Sequence, residues 1–174
     1  MRKVFMSLLA ISFFIILLCG CNNSTKQIQP YFTADCVVTN AQLSFKVKLC
    51  SYNKNSVSAT LESKDALNGL EFEKNNSTLY IRYNDLECIA NDDYLPYFSG
   101  VDVLFDALLC CKNNTVSYLR SQGDFDVYKA KLEYCDCEIF VDSKSGQIKK
   151  ISPKLYGVNI TFDNIKIYKK VPVA

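Results

Sequence analysis

The side chains of this 174-residue chain that could act in catalysis or bind a metal are mainly cysteines and carboxylates. The chain has nine cysteines and no histidine. Without histidine, neither a Ser-His-Asp nor a Cys-His nucleophile can be assembled, and the commonest metal ligand is missing. An enzyme would have to depend on carboxylates, lysines or cysteines alone. We therefore expect a protein without enzymatic activity, metal or other cofactor.

The cysteines beyond residue 21 allow three interpretations. They are Cys36, Cys50, Cys88, Cys110, Cys111, Cys135 and Cys137. They could be small buried apolar residues, one or two structural disulfides, or a metal or redox site. Their odd number would leave at least one thiol unpaired, and a zinc site would need CxxC pairs or histidines. We favour the first interpretation and keep the other two open.

The acidic residues form small groups that could act as paired carboxylates, as in glycoside hydrolysis. The groups are Asp92-Asp93, Asp124 with Asp126, and Glu133, Asp136 and Glu138. These residues lie in predicted turns or on the polar side of predicted strands. We therefore expect them on the solvated surface and predict no catalytic residue.

The N-terminus has the pattern of a secretion signal. Arg2 and Lys3 precede an almost uninterrupted apolar run from Val4 to Leu18, which is short for a membrane-spanning helix of roughly 20 residues. The run ends in Leu18-Cys19-Gly20-Cys21, which resembles the bacterial lipobox. This pattern predicts a lipoprotein signal peptide over residues 1–20, lipidation of Cys21, and a polar tether over residues 21–30. An uncleaved anchor with incidental cysteines is the alternative.

Lipidation would fix the location of the protein. Two or three acyl chains, such as palmitate, give stable anchoring, so we expect attachment to the extracytoplasmic face of the cell membrane. Removal of residues 1–20 would delete Arg2 and Lys3 and leave 18 basic residues against 18 acidic ones. A neutral domain of this kind gives no indication of nucleic-acid binding, which requires a clustered basic excess.

Alternation of apolar and polar residues dominates the rest of the chain and is typical of half-buried β-strands. It is clearest over residues 32–38, 43–49, 57–61, 79–83, 137–141 and 158–162. Short polar turn signals separate these stretches, such as Asn75-Asn76-Ser77. The short spacings predict hairpins and a meandering antiparallel sheet.

One segment has helical spacing instead, over residues 101–111. Asp102 would lie in the first turn, Ser99 would cap it, and Asn113-Asn114 would end the helix. A shorter helical turn is predicted at residues 64–67. The helix must cover the apolar face of the sheet, and together they supply our candidate ligand-binding residues: Leu43, Phe45, Val47, Val57, Ala59, Leu61, Leu79, Ile81, Tyr83, Leu104, Phe105 and Leu108.

Three stretches carry a family resemblance. They are SKDALNGLEFE at 63–73, YIRYNDLEC at 80–88 and FVDSKSGQIKKI at 140–151. With the lipobox before them, they resemble motifs of small Firmicutes lipoproteins of the LolA-like, lipoprotein-carrier superfamily. For residues 31–170 the resemblance implies a mainly β (α+β) domain, with a curved, half-open antiparallel β-barrel and one or two covering helices. Its concave interior would be apolar and would shelter acyl chains.

These observations lead to two hypotheses. The first is a membrane-anchored lipoprotein that binds a lipid or another hydrophobic small molecule in the concave barrel. The second is a non-enzymatic interaction module of the cell envelope, whose interior is filled by its own side chains. The sequence alone does not decide whether the apolar face is an ordinary core or a binding cavity.

Overall fold

A computed structural model describes residues 27–40, 43–64, 66–91, 100–154 and 157–168. Six strands come first: β1 Phe32–Thr39, β2 Ser44–Ser51, β3 Ser56–Glu62, β4 Glu71–Asn75, β5 Thr78–Tyr83 and β6 Leu86–Asn91. A helix, α1, follows at Gly100–Lys112. The last strands are β7 Ser117–Gln122, β8 Phe125–Lys131, β9 Asp136–Asp142, β10 Ile148–Pro153 and β11 Asn159–Ile167.

All the strands form one antiparallel sheet in the order β6-β5-β4-β3-β2-β1-β11-β10-β9-β8-β7. The sheet joins two meanders, because the first strand pairs with the last along almost its whole length. The two edges are β6 and β7, and they are consecutive strands on either side of α1. The segment that contains α1 therefore connects one edge of the sheet to the other.

The sheet curls around α1. The helix contacts both β3 and β8, which are separated by six strand spacings, or about 29 Å on a flat sheet. An α-helix of 13 residues is about 20 Å long and about 10–12 Å wide with its side chains. It could not contact both strands unless the sheet were concave. The apolar face of the sheet therefore surrounds the helix.

The core follows from the strand alternation. In β1 every second residue is buried, from Phe32 to Val38, and the facing residues of β11, such as Phe162, are buried with them. The first residue of α1, Gly100, lies in close contact with β1. A β-carbon at Gly100 would overlap the side chain of Val38, so glycine lets the backbone of α1 approach β1.

The structure confirms the mainly β class and the antiparallel meander, and shows an open sheet that is not closed into a barrel. The predicted helix is present, one residue longer at each end, and stops before Asn114, whose φ is 53°. In the described part of the chain it is the only helix. The segment predicted as a short helical turn forms hydrogen-bonded turns around Ala66–Gly69 instead.

Several predictions lie outside the described residues. These are the signal peptide over 1–20, the lipidation site Cys21 and the helix cap Ser99. The end of the predicted tether is described: the N–H of Gln29 donates to the carbonyl of Gly146 at 2.9 Å, and Ile28 packs against the core. Residues 27–30 therefore lie against the sheet. No helix among the described residues is long and apolar enough to cross a membrane.

Candidate functional site

An apolar cavity of about 660 Å³ lies at one end of the concave face, where α1 begins. Its apolar walls come from β2, β3, β4, the turn between β3 and β4, and the first turn of the helix. They are Leu43, Phe45, Leu61, Leu67, Leu70, Phe72 and Val101. Ser44, Lys46, Glu62, Ser63 and Lys64 complete the lining. A cavity of this size and composition is typical of small-molecule sites, which measure about 300–1,000 Å³.

The helix explains why the cavity lies at the end of the sheet and not at its centre. Leu104, Phe105 and Leu108 of α1 are fully buried and fill the middle of the concave face. At the start of the helix, Val101 lines the cavity together with Leu67 of the turn between β3 and β4. Among the described residues, the side chains of α1 therefore fill the middle of the concave face, and the cavity lies at one end of it.

The predicted ligand-binding residues fall into three groups. Cavity residues are Leu43, Phe45 and Leu61. Core residues are Val47, Val57, Ala59, Leu79, Leu104, Phe105 and Leu108. The half-buried residues Ile81 and Tyr83 lie on β5, the strand next to β4, and the hydroxyl of Tyr83 donates to the carbonyl of Ala66 in the turn between β3 and β4.

Sequence reasoning missed part of the lining. Leu67 and Leu70 lie in and just after a turn, where strand or helix periodicity gives no signal. Phe72 could have been found, because it is flanked by Glu71 and Glu73 on a strand and must point to the opposite face. Val101 was included in the helix but not among the candidate residues.

A buried ionic cluster joins the helix to β4. The ammonium group of Lys74 lies 2.7 Å from a carboxylate oxygen of Asp106 and 3.6 Å from one of Asp102. Lys74 and Asp102 are almost fully buried, and Asp106 is partly buried. Lys74 occupies an inward-facing register position, opposite Val57 and Leu79. The two acids are one turn apart on α1, so the cluster fixes the helix near the cavity.

The other end of α1 is held by Lys112. Its ammonium group donates to the carbonyls of Asn53 at 2.7 Å and Ser56 at 2.6 Å, in and just after the β2–β3 turn. Burial lowers the pKa of Lys112 to about 8. A neutral amine keeps two N–H donors, so both hydrogen bonds can survive deprotonation. This contact therefore ties the end of the helix to the sheet.

The described cysteines are all free, and no group of them with other potential ligands is arranged to hold a metal in this part of the chain. Cys36, Cys111 and Cys137 are buried.

One acidic residue differs from the expectation that all the acidic groups lie on the solvated surface. Asp126 is buried because it faces inward opposite Val141, where it accepts a hydrogen bond from Ser121 at 2.8 Å. Asp92-Asp93 lie outside the described residues.

The buried thiols predict a loss of stability at high pH. Burial raises the pKa of Cys36 to about 12 and lifts those of Cys111 and Cys137 above the ordinary thiol range. The folded state therefore keeps protons that the unfolded state loses above its thiol pKa. The free energy of unfolding should fall as pH rises above about 9, by about 1.4 kcal/mol per thiol and pH unit.

The test is urea denaturation under reducing conditions at pH 8 and pH 10. We expect Cys36→Ala to be less stable than wild type at pH 8, but to lose about 1.5 kcal/mol less between the two values. Both proteins keep Lys112 and the tyrosines, so their contributions cancel in the comparison. The same pH dependence in both proteins would contradict the assignment.

The fold and cavity define a mainly β protein with an open antiparallel sheet, one described helix and an apolar cavity beside it. No protein-family model and no curated protein sequence matches the chain. Among solved structures, the chain is similar to a LolA superfamily protein from Nitrosomonas europaea. The match has a TM-score of 0.47 and 9% sequence identity, and covers 85% of this chain and 90% of the other.

Proposed function

We propose that this protein binds a lipid or another hydrophobic small molecule in the cavity formed by β2, β3, β4 and the start of α1. One observation carries the proposal: the 660 Å³ cavity has mainly apolar walls and is not filled by the side chains that fill the rest of the concave face. Burial of apolar ligand surface would drive binding at roughly 25 cal/mol per Å². The resemblance of residues 63–73 to a lipoprotein-carrier motif implies the same class of ligand.

The chemistry of the lining favours binding over catalysis. The described lining contains no histidine or cysteine, and its charged members are Lys46, Glu62 and Lys64, of which Glu62 is engaged with Lys48 at 3.4 Å. The polar members lie where the strands end and would leave one side of a ligand in contact with water. We therefore propose a non-enzymatic binding protein. An interaction module with a self-filled interior is the alternative, supported by the complete burial of Phe105.

Substitution at the cavity rim separates these functions. Leu67 lines the cavity but is 54% exposed, so Leu67→Gln should leave the fold intact. In residues 22–174, which include every described strand and the helix, we expect it to weaken binding of N-phenyl-1-naphthylamine about fivefold. Fluorescence titration measures the change.

The matched control is Leu119→Gln. Leu119 is 44% exposed and lies on β7, away from the cavity. We expect it to bind the dye as wild type does. If the wild-type protein does not take up the dye at all, or if both variants weaken binding equally, the cavity is not the binding site and the interaction module becomes the better account.

We further propose that Cys21 is lipidated and anchors the protein to the extracytoplasmic face of the membrane. The charged N-terminus, the apolar run and the lipobox support this proposal. In cells fed radiolabelled palmitate, wild type should carry the label and sediment with membranes, whereas Cys21→Ser should carry none. Equal labelling of the two proteins would refute lipidation at this residue.

A further inference from the structure

The edge strand β6 has an exposed, regular edge. Within the described part of the chain it pairs only with β5, in unbroken register from Tyr83 opposite Leu86 to Thr78 opposite Asn91. Leu86 is 74% exposed and Ile89 is 62% exposed, and Cys88 between them is exposed as well. Leu86 and Ile89 point to opposite faces, so both sides of this edge are apolar at the surface.

The opposite edge of the sheet is built differently. The pairing of β7 with β8 contains a register shift between Tyr118 and Arg120. Arg120 also places a charge on that edge strand, where it binds Glu138 at 2.8 Å. Bulges and charges are common devices that keep edge strands from pairing with other chains. The described residues of β6 include no register shift and no basic residue.

The charge of β6 is already balanced. Its single charged residue, Glu87, has its carboxylate 2.7 Å from the guanidinium of Arg82 on the neighbouring strand. A second strand of the same composition could therefore approach without an uncompensated charge. Two copies of β6 would meet without net charge repulsion, because each brings its own Arg82–Glu87 pair.

We propose that β6 is the interface at which a second copy of this chain pairs its own β6 in antiparallel orientation. Such pairing is closed by a two-fold axis, because each copy offers the same row of N–H and C=O groups. The inward-facing residues of one copy must lie beside the inward-facing residues of the other. A register shift of one residue would instead set inward-facing residues opposite outward-facing ones. The register that sets Leu86 opposite Ala90 of the second copy places Cys88 opposite Cys88 of the second copy.

This register avoids like charges. Glu87 then lies opposite Ile89 of the second copy, whereas a shift by two residues in one direction would oppose the two Glu87 side chains. A shift by two residues in the other direction would leave Leu86 without an opposing residue on the partner strand. A six-residue strand is only about 20 Å long, and contacts of this size fall at the low end of specific interfaces. The dimer is therefore weak and concentration-dependent.

The test uses the full-length chain in a mild detergent. Sedimentation velocity over a concentration series should show a monomer–dimer equilibrium. Ile89→Glu should raise the dimer dissociation constant at least about tenfold, because it places a second carboxylate directly opposite Glu87 of the other copy. The matched control is Leu119→Glu, at a position on β7 that is 44% exposed, against 62% for Ile89, and it should leave the constant unchanged.

Cross-linking identifies the register. Copper phenanthroline with oxygen removes two electrons and two protons from the opposed thiols, so the Cys88 pair should form a disulfide-linked dimer. The linked peptide should contain Cys88 from both copies, and Cys88→Ser should abolish it. A monomer at all concentrations, a dimer unaffected by Ile89→Glu, or equal cross-linking of Cys88→Ser would overturn the proposal. Leu67→Gln tests ligand binding independently, so either proposal can fail alone.

Discussion

Replacement of Lys74 by methionine should lower the free energy of unfolding by about 3–5 kcal/mol at neutral pH. The substitution keeps the length of the side chain and its contacts with the inward face of β4. It removes the positive charge that lies 2.7 Å from Asp106 and 3.6 Å from Asp102. Because Asp102 is almost fully buried, it would lose charge compensation in a place that water solvates poorly. Urea denaturation measures the loss.

Two controls separate the loss of a buried charge pair from the loss of any lysine. Lys48→Met removes a lysine from an exposed pair with Glu62, and we expect a loss below about 1 kcal/mol. Combining Lys74→Met with Asp102→Leu and Asp106→Leu removes the whole cluster and should recover most of the stability. A loss for Lys74→Met no larger than that for Lys48→Met would show that the cluster does not hold the helix.

Phe105→Ala should lower the free energy of unfolding by about 3–5 kcal/mol. The ring of Phe105 is fully buried on α1, at the centre of the concave face. Its removal takes away apolar contacts and leaves a cavity that surrounding strands can only partly close. Since Phe105 is not part of the cavity lining, the folded fraction of the variant should bind the apolar dye with unchanged affinity.

The matched control is Leu109→Ala, on the same helix but only half-buried. Its loss should be less than half that of Phe105→Ala, and helix propensity favours alanine at both positions. If Phe105→Ala does not fold, Phe105→Leu provides a milder test of the same contact. Unchanged stability together with lost dye binding would mean that the ligand site extends under the helix.

The sequence predicted the strands best where one face is buried and the other solvated. Phe45, Val47 and Leu49 of β2 alternate with lysines, and the structure confirms both the strand and its inward face. The edge strand β7 was not predicted, because all its residues are exposed and burial therefore imposes no alternation of apolar and polar residues on it. On β4 the inward-facing Lys74 breaks the apolar pattern, and its acidic partners lie elsewhere in the chain.

The location of the cavity could not be predicted from local patterns. Alternation placed Phe45 and Val47 on the same face, but only the position of α1 makes the first a cavity residue and the second a core residue. That position depends on contacts between residues far apart in the chain, such as Gly100 with Val38 and Lys112 with Asn53. The pairing of β1 with β11 is equally long-range, and no turn connects the two strands that could indicate it in the sequence.

The most direct test of the account is the site of a bound alkyl chain in a crystal. Residues 22–174 would be crystallised with 1-bromododecane, and the bromine would be located by anomalous diffraction. We predict a bromine peak between Phe45, Leu61 and Phe72. A cavity occupied by the protein's own side chains, with no bromine there at saturating ligand, would contradict the proposed function.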